Sequence, residues 1–143
     1  MSDETHQSAE APAPGTFCWT EIAVKDAAKC KAFYSEVFGW NWQDNNEVTE
    51  GFVYHEFSTG EPFPAGGLYE ITPEMFGDDA PPPHFLSYVA VNSVDETAAL
   101  AEEIGGVIIK EPADIPNTGR FAIVQDPSGA MLAVFTMGGG ANG

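Results

Sequence analysis

Glu21 is the residue of this sequence whose type and position point most directly to chemistry. It lies in the segment from Phe17 to Val24, where aromatic and β-branched residues predict a half-buried strand. A carboxylate inside such a strand is costly unless it is paired or used. Trp19 shares its strand face, because side chains alternate along a strand. Glu21 could therefore bind a cation beside an aromatic ring or act as a general base, and hydrogen bonding to its neighbours is the structural alternative.

Three other side chains could bind a ligand or take part in a reaction: Arg120, His84 and His55. Arg120, the only arginine, follows a flexible turn and could either hold an anionic substrate group or form a surface ion pair. His84 follows three prolines and is either a metal ligand or a loop histidine. His55-Glu56 does not open an HExxH zinc motif, since position 59 is threonine, and is expected on a polar strand face. The sequence contains no Ser-His-Asp order, phosphate-binding glycine loop or dinucleotide fingerprint.

The composition narrows the possible partners. The chain has 143 residues, enough for one domain with a real core, and its 22 acidic and 5 basic residues give a net charge of −17. Such a surface repels phosphate groups, so nucleic acid and anionic membranes are poor partners. No apolar run approaches the roughly 18 residues of a membrane helix, and we expect a cytoplasmic protein. Cys18 and Cys30 are expected to be reduced thiols.

The elements that must position these side chains occur twice. Ile22-Ala23-Val24 and Val89-Ala90-Val91 are 67 positions apart, and the helix-like stretches after them end at Gly39 and Gly106, again 67 apart. A strand-helix-strand unit this short cannot bury its own apolar face, so two copies are needed for a core. The crevice between two such copies is a natural ligand site.

Each half is predicted to contain a strand, a helix and three further strands. Module one spans about residues 16–71 and module two about 84–137, with an acidic, proline-rich connector at 72–83. Together they form a single domain over 15–137, and residues 1–14 and 138–143 have the composition of flexible tails. Helix N-caps are predicted at Asp26 and Ser93, which begins a capping box with Glu96.

The helical periodicity and the turn residues place the remaining elements. The buried helix faces are predicted to be Ala27, Cys30, Tyr34 and Val37 in module one, and Val94, Thr97, Ala98, Ala101 and Ile104 in module two. The later strands are predicted at about 40–44, 51–58, 64–71, 107–111, 120–126 and 130–136. Asp126-Pro127-Ser128-Gly129 is a good turn sequence between the last two strands.

Short motifs in both halves occur in a recognisable order. They are Cys18 to Val24 with Asp26, Ala32-Phe33-Tyr34, Val37-Phe38-Gly39-Trp40, Tyr88 to Val91, Val94-Asp95, Gly105-Gly106, and Phe121 through Asp126 to Gly129. Over about residues 16–137 the chain thereby resembles the vicinal oxygen chelate superfamily, which includes glyoxalase I, extradiol dioxygenases, and fosfomycin and bleomycin resistance proteins. The opening is most similar to a mycobacterial-antigen or hydroxylase-like branch, whose members often carry two such domains in tandem. The resemblance implies an α+β fold in which two tandem βαβββ modules form a curved mixed β-sheet with the helices outside.

The resemblance also implies where a metal would be bound. Metal-dependent members place His, Glu or Gln on the first and last strand of each module. The matching positions here are Trp19, Gly66, Leu86 and Ala133. None of these side chains suits a divalent cation, so no cofactor is expected. The alternative is a displaced Fe, Mn, Ni or Zn site that uses Glu21 and His84, with Glu70 or His55-Glu56 as further ligands.

Without a metal, inward strand positions would line a pocket between the modules or simply fill the core. The expected lining is Trp19, Glu21, Leu68, Leu86, Tyr88, Ala133 and Phe135, with Arg120 at the mouth. Such a cavity suits a small apolar or cationic molecule, which makes a metal-free binding protein the leading hypothesis. The alternatives are a lyase, dioxygenase or hydroxylase-like enzyme that uses Glu21 as a base or a displaced metal, and an accessory domain with a vestigial pocket. The resemblance also implies a homodimer.

Overall fold

The computed structural model describes residues 12–49, 52–73, 80–115 and 118–138, without the side chains of 45–49 and 52. Most of both predicted tails and half of the predicted connector lie outside the described residues. Two compact units make up the chain: one is Trp19–Leu86, and the other runs from Ser87 onward and includes the segment up to Cys18. Within the described ranges, no helix has the length and apolarity that a membrane span requires.

Module one has the predicted order of elements. The strand β1 (Phe17–Val24) is followed by the helix α1 (Ala27–Phe38) and the strands β2 (Asn41–Thr49), β3 (Phe52–Ser58) and β4 (Gly66–Glu70). The strands lie side by side in the order β2-β3-β4-β1. β1 is parallel to β4, whereas β2, β3 and β4 are antiparallel neighbours, so the sheet is mixed.

Module two repeats this arrangement. The strand β5 (His84–Ala90) is followed by the helix α2 (Val94–Glu103) and the strands β6 (Val107–Ile115), β7 (Gly119–Gln125) and β8 (Met131–Met137). Their order is β5-β8-β7-β6, again with one parallel pair, β5 and β8. The prediction of two βαβββ modules is therefore confirmed, with β2 and β6 ending about five and four residues later than expected.

Both helices begin at the predicted capping residues. The Asp26 carboxylate accepts a hydrogen bond from Lys29 N at 3.1 Å, and Glu70 Oε1 accepts one from Ala27 N at 2.9 Å. Two otherwise unpaired N–H groups of the first turn are thereby satisfied. In module two, Ser93 accepts from Glu96 N at 3.2 Å, as the capping box predicts.

The core of module one lies between α1 and one face of the sheet. Its buried members are Ile22, Val24, Ala27, Phe57 and Leu68, with Cys30, Tyr34, Trp40, Trp42 and Ala65 packed against them. The prediction that Val37 lies on the buried face of α1 was wrong, since this side chain is 52% exposed. Trp40 stacks on Phe57 at 4.2 Å and on Tyr34 at 5.2 Å, so the rings that follow the helix supply the packing at its last turn.

The core of module two is smaller and aliphatic. Val94 and Ala122 are fully buried and pack with Val134, and Val91 lies against them. Ile104, predicted on the buried stripe of α2, is 70% exposed because the helix ends at Glu103. The two cysteines are free, as expected, and burial raises the pKa of both thiols.

The turn between β7 and β8 is built around Asp126. Its Oδ1 accepts hydrogen bonds from Ser128 N at 2.8 Å, Ser128 Oγ at 2.7 Å and Ala130 N at 3.0 Å, while Gly129 adopts a φ of 104°. The Ser128 hydroxyl and these backbone N–H groups favour the ionised carboxyl and lower the pKa of Asp126 below its ordinary value of 3.8. Glycine is suited to the left-handed position that closes this turn.

We predict that this turn contributes stability that acid removes. The folded-state pKa of Asp126 is depressed, so its contribution is present above pH 3.8 and is lost as the pH falls through the folded-state value. Asp126→Ala should lower the urea midpoint at neutral pH and narrow the difference between neutral and acidic conditions. Asp126→Asn is the matched control, because it retains an oxygen acceptor without the charge. An unchanged midpoint in Asp126→Ala would contradict the assignment.

Candidate functional site

The sheet of module one has two chemically different faces. In the β1–β4 register Glu21 pairs with Gly67 and Ile22 pairs with Leu68, so alternate residues point toward α1 or away from it. The face toward α1 forms the core. The opposite face includes Trp19, Glu21, Tyr54, Glu56, Gly67 and Tyr69, and these six residues are here called the polar face.

A chain of hydrogen bonds crosses the polar face. Trp19 Nε1 donates to Tyr54 Oη at 2.7 Å, and Tyr54 Oη donates to Glu21 Oε2 at 2.9 Å. The direction is fixed, because an indole N–H can only donate and an ionised carboxylate can only accept. The Trp19 and Tyr54 rings are nearly parallel, with centroids 6.4 Å apart, and Tyr54 is only 8% exposed. One partner of Glu21 is therefore a residue 33 positions away along the chain.

Gly67 makes room for Tyr54 on this face. A Cβ atom at Gly67 would collide with the Cε2 and Cζ atoms of the Tyr54 ring. The phenol therefore lies directly over bare backbone, beside the strand that carries Glu21. Tyr54 and Gly67 were not among the predicted site residues.

Tyr69 adds a neutral phenol to the polar face. Burial and, to a smaller extent, the negative charge of Glu21 together raise the pKa of Tyr69 to about 12. The hydroxyl of Tyr69 therefore remains protonated throughout the physiological range. The polar face combines an acceptor, Glu21, with a neutral phenol that can donate or accept.

The positions predicted from the repeat need one correction. Gly66 and Leu68 lie on the face toward α1, where Leu68 is fully buried and a Cβ at Gly66 would meet the Thr20 carbonyl and the Phe57 ring. Neither shares a face with Trp19. The first strands of the two modules differ by 67 positions, but the last strands differ by 66, since Glu21 pairs with Gly67 where Tyr88 pairs with Ala133. A one-residue change of register moves every side chain of a strand to its other face.

Module two has an equivalent face made of aromatic residues. Tyr88, Phe121, Ala133 and Phe135 share it, and Leu86 lies on the same side of β5 as Tyr88. The Tyr88 ring is 6.4 Å from Phe121 and 6.3 Å from Phe135. These rings stand at the positions that Glu21, Tyr54 and Tyr69 hold in module one. The shared face of Leu86, Tyr88, Ala133 and Phe135 was predicted, whereas Phe121 was missed.

Arg120 forms ion pairs on the opposite side of the module-two sheet. Its Nη2 lies 2.9 Å and its Nε 3.2 Å from the Asp95 carboxylate, and its Nη1 lies 3.0 Å from Asp114 Oδ1. It pairs with Thr136, next to the Phe121–Phe135 pair, so it points away from the aromatic rings. The structure thus shows the surface ion pair that the sequence analysis gave as the alternative to binding an anionic substrate group. It does not place Arg120 with the other predicted lining residues.

His84 and His55 also lie away from the polar-face network. His84 Nδ1 is 2.8 Å from the Pro82 carbonyl oxygen. His55 pairs with Leu68 and so faces α1, where its Nδ1 is 2.6 Å from Asp44 Oδ1 and 3.1 Å from Lys31 Nζ. The hydrogen bond from His55 lowers the pKa of Asp44. His55 and Glu56 therefore lie on opposite faces of β3 and do not form one polar face.

The donor atoms do not fit the usual metal centre of this fold. With the corrected register, the ligand positions are held by Trp19, Gly67, Leu86 and Ala133, which offer no imidazole or carboxylate. In the described part of the chain, no three His, Cys, Asp or Glu side chains are grouped so that they could hold a metal ion. The predicted pairing of Glu21 with His84 therefore has no third ligand among these residues.

A groove of about 570 Å³ lies at the N-terminus of α1, and its lining includes Lys25, Asp26 and Glu70. Glu70, which was considered as a metal ligand, is used here to cap α1 through Ala27 N. Since this groove lies beside the helix cap, it is separate from the Trp19–Tyr54–Glu21 hydrogen bonds. The predicted pocket between the modules stays a prediction.

We predict an energetic coupling between Gly67 and Tyr54. Gly67→Ala should lower the free energy of unfolding by about 1–3 kcal/mol, because the new methyl group displaces the Tyr54 ring. In a Tyr54→Ala background the same change should cost less than about 0.5 kcal/mol, a coupling that urea titrations of the four proteins would measure. Gly66→Ala is the control, since a methyl group at this position meets the Thr20 carbonyl whether or not Tyr54 is present. Its cost should therefore be the same in both backgrounds. Additive costs for Gly67→Ala would contradict this geometry.

We also predict that Tyr69 titrates at an unusually high pH. The phenolate absorbance of one of the four tyrosines should develop near pH 12 and be absent in Tyr69→Phe. Because the folded-state pKa lies above the ordinary value of 10.0, stability should fall as the pH rises from 10.0 toward about 12. Glu21→Gln should lower this pKa, and the exposed Glu103→Gln should leave it unchanged. Equal effects of the two variants would refute the influence of Glu21.

Comparisons with known proteins agree with this architecture. An extradiol ring-cleaving dioxygenase from B. fuscum superposes with a TM-score of 0.61 at 22% identity, over 90% of this chain and 34% of that chain. The mycobacterial "Putative glyoxylase CFP32" from Mycobacterium tuberculosis is 39% identical over 120 residues, which are 84% of this chain and 43% of the relative. The anthracycline biosynthesis protein DauV from a Streptomyces species is 31% identical, over 88% of this chain and 48% of the relative.

The chain thus spans less than half the length of the curated relatives that it matches. The solved structure supports the fold alone, and confirms the predicted α+β fold class. The sequence profile of the glyoxalase/bleomycin resistance protein/dioxygenase superfamily matches residues 16–134, nearly the whole of the range over which the resemblance was predicted. This protein therefore belongs to the glyoxalase/bleomycin resistance protein/dioxygenase superfamily.

Proposed function

We propose that the polar face of module one binds a small organic molecule, apolar or cationic, without a metal ion. The observation that carries this proposal is the hydrogen-bonded chain from Trp19 through Tyr54 to Glu21. It holds two aromatic rings and a carboxylate in one arrangement before any ligand arrives. Prearranged contact groups lower the entropic cost of binding.

The chemistry of the face suits such a ligand. The ring of Trp19 offers apolar contact and a negative π face, and Glu21 adds a charge that attracts cations. Trp19 and Glu21 are only partly buried, so each retains some accessible surface. The net charge of −17 adds a long-range attraction for positive molecules.

The names of the relatives fit a small-molecule role. One is named as a glyoxylase and another for anthracycline biosynthesis, and the superfamily description includes bleomycin resistance. Each of these names refers to the chemistry or the handling of small organic compounds. For this chain we take from them only that the ligand is a small organic molecule, since the fold itself hosts several chemistries.

A second candidate function is proton transfer with Glu21 as general base. Glu21 shares its face with Tyr69, a phenol held neutral by burial and by the Glu21 charge, and such unlike neighbours are typical of acid–base pairs. Incubation of a bound carbonyl compound in deuterated water distinguishes the two functions. Exchange of a carbon-bound hydrogen that Glu21→Gln abolishes supports the enzyme, and binding without exchange supports a binding protein.

Three further proposals are checked on the purified protein. Elemental analysis of protein prepared without chelator would detect a displaced Fe, Mn, Ni or Zn site, which Glu21→Ala or His84→Ala should empty.

The proposed homodimer is measured by light scattering. Absence of binding by every compound in a broad panel would favour an accessory domain with a vestigial pocket.

We predict that binding depends on the polar face. In a thermal-shift screen of aromatic amines, aromatic alcohols and an anthracycline, a ligand at roughly 100 times its Kd should stabilise the protein by about 2.7 kcal/mol. The increase in Tm should be lost in Trp19→Leu and Glu21→Ala. It should persist in Phe33→Leu and Glu103→Ala, which change an exposed aromatic and an exposed acid elsewhere. Equal losses in all four variants would refute the assigned site.

A further inference from the structure

The helix α1 exposes apolar side chains on the side that faces away from its sheet. The inward side carries Ala27, Cys30 and Tyr34, which pack in the core of module one. The residues of the outward side are exposed and form two adjacent rows of i, i+4 neighbours. One row is Ala28, Ala32 and Glu36, the other is Lys29, Phe33 and Val37, and these six residues are here called the outer stripe.

The apolar surface around the outer stripe is contiguous. Phe33 is 57% and Val37 is 52% exposed, and the neighbouring Phe38 is 59% exposed. The rings of Phe33 and Phe38 lie on either side of the Tyr34 ring, with centroids 5.3 Å and 6.1 Å from it. A continuous exposed apolar area of this kind marks a contact surface, whereas single exposed apolar residues do not.

The outer stripe is complementary to itself when its direction is reversed. If a twofold axis passes between positions 32 and 33, residues at equal distances on either side of it come opposite each other. The resulting pairs between two copies are Phe33 with Ala32, Val37 with Ala28, and Lys29 with Glu36. Each large apolar side chain thereby meets a methyl group, and each cation meets a carboxylate.

This pairing uses a common geometry of helix packing. Rows of i, i+4 side chains are the ridges that interdigitate when two helices cross at about −50°. Lys29 and Glu36 are seven positions apart, about 10.5 Å along the helix axis, whereas ion pairs within a helix form between i, i+3 or i, i+4 neighbours. A second, reversed helix brings a carboxylate to Lys29 and an ammonium group to Glu36 at the same time.

The distribution of charge favours α1 as a contact between identical copies. A net charge of −17 makes two copies repel each other, so they approach most easily where the local charge is least negative. α1 carries Lys29, Lys31 and a single acid, Glu36, while α2 carries four acids and no base. With Lys25 just before the helix, three of the five basic residues of the chain lie in or beside α1.

We infer that the outer stripe of α1 is the surface on which a second copy of this chain docks, as an antiparallel pair of α1 helices. This names the surface of the proposed homodimer and does not depend on the small-molecule site of the polar face. Phe33 lies next to the twofold axis and is the central anchor. Val37, exposed in the single chain, is covered in the pair. Six side chains a copy are fewer than the roughly 20–30 of a standard interface, so the dimer forms reversibly with concentration.

Charge reversal at the two ends of the stripe tests the pairing. Sedimentation velocity of the full chain, over a concentration series at low salt, should show the average mass rising from monomer toward dimer. Lys29→Glu places carboxylates opposite each other and Glu36→Lys places ammonium groups opposite each other. Because the twofold axis repeats each contact, either variant should weaken dimerisation at least about tenfold.

Recovery of the dimer identifies the partners. In an equimolar mixture of Lys29→Glu and Glu36→Lys, each variant supplies the charge that the other lacks, so mixed dimers should form as readily as in the unmodified protein. The double variant should also dimerise. An interface on another surface has no reason to recover in either case.

Matched controls separate the stripe from general effects of charge and apolarity. Lys110→Glu and Glu103→Lys make the same charge changes at exposed positions outside α1 and should leave the dimer nearly unchanged. Phe33→Ala should weaken the dimer at least about tenfold, and Phe63→Ala, at an equally exposed phenylalanine elsewhere, should not. Circular dichroism of each variant checks its folding.

The outcomes distinguish this inference from the other proposals. A wild-type protein that stays monomeric at every concentration overturns both the homodimer and its surface. A dimer that persists in Lys29→Glu, Glu36→Lys and Phe33→Ala leaves the homodimer standing and overturns the inference. Loss in both charge variants without recovery in the mixture contradicts the antiparallel pairing. The thermal-shift screen of the polar face tests the small-molecule site separately, since no residue of the outer stripe belongs to that face.

Discussion

The hydrogen bond from Tyr54 to Glu21 is the interaction on which the candidate site depends. A carboxylate in a half-buried strand loses hydration, and a hydrogen bond from a buried phenol compensates for part of that loss. The phenol can reach Glu21 only because position 67 has no side chain, since any Cβ there would occupy the space of the ring. Trp19 then fixes the orientation of the Tyr54 hydroxyl by donating a hydrogen bond to it. One glycine, one phenol and one carboxylate therefore form a single structural unit.

The duplication shows how one scaffold produces two different faces. Leu68 and Val134 occupy equivalent core positions and are both buried, so the helix-facing side of each sheet is conserved in character within this chain. The opposite sides diverge, with Glu21, Tyr54 and Tyr69 in module one and Tyr88, Phe121 and Phe135 in module two. The core side is constrained by packing against the helix, whereas the other side is constrained only by what it must bind or cover.

The same divergence explains why membership of the superfamily leaves the chemistry open. The superfamily description covers glyoxalases, bleomycin resistance proteins and dioxygenases, and in this chain the positions where the sequence resemblance places metal ligands carry an indole, a glycine and aliphatic groups. In this chain the acceptor of the site is Glu21, two residues from the position of a ligand, and its orientation comes from a phenol instead of a cation. Under the proposed function, recognition would rest on electrostatics and on ring surface.

The sequence by itself determined the two modules, the capping residues Asp26 and Ser93, the Asp126 turn and the common face of Trp19 and Glu21. These features are local, because capping, turn chemistry and the alternation of side chains along one strand follow from covalent geometry over a few residues. Only the tertiary structure decided that Gly67 and not Gly66 shares the face of Glu21, that Tyr54 is its partner, and that Arg120 binds Asp95. The pairing of strands fixes which faces coincide, and that register depends on packing between residues distant in sequence, so no local pattern encodes it.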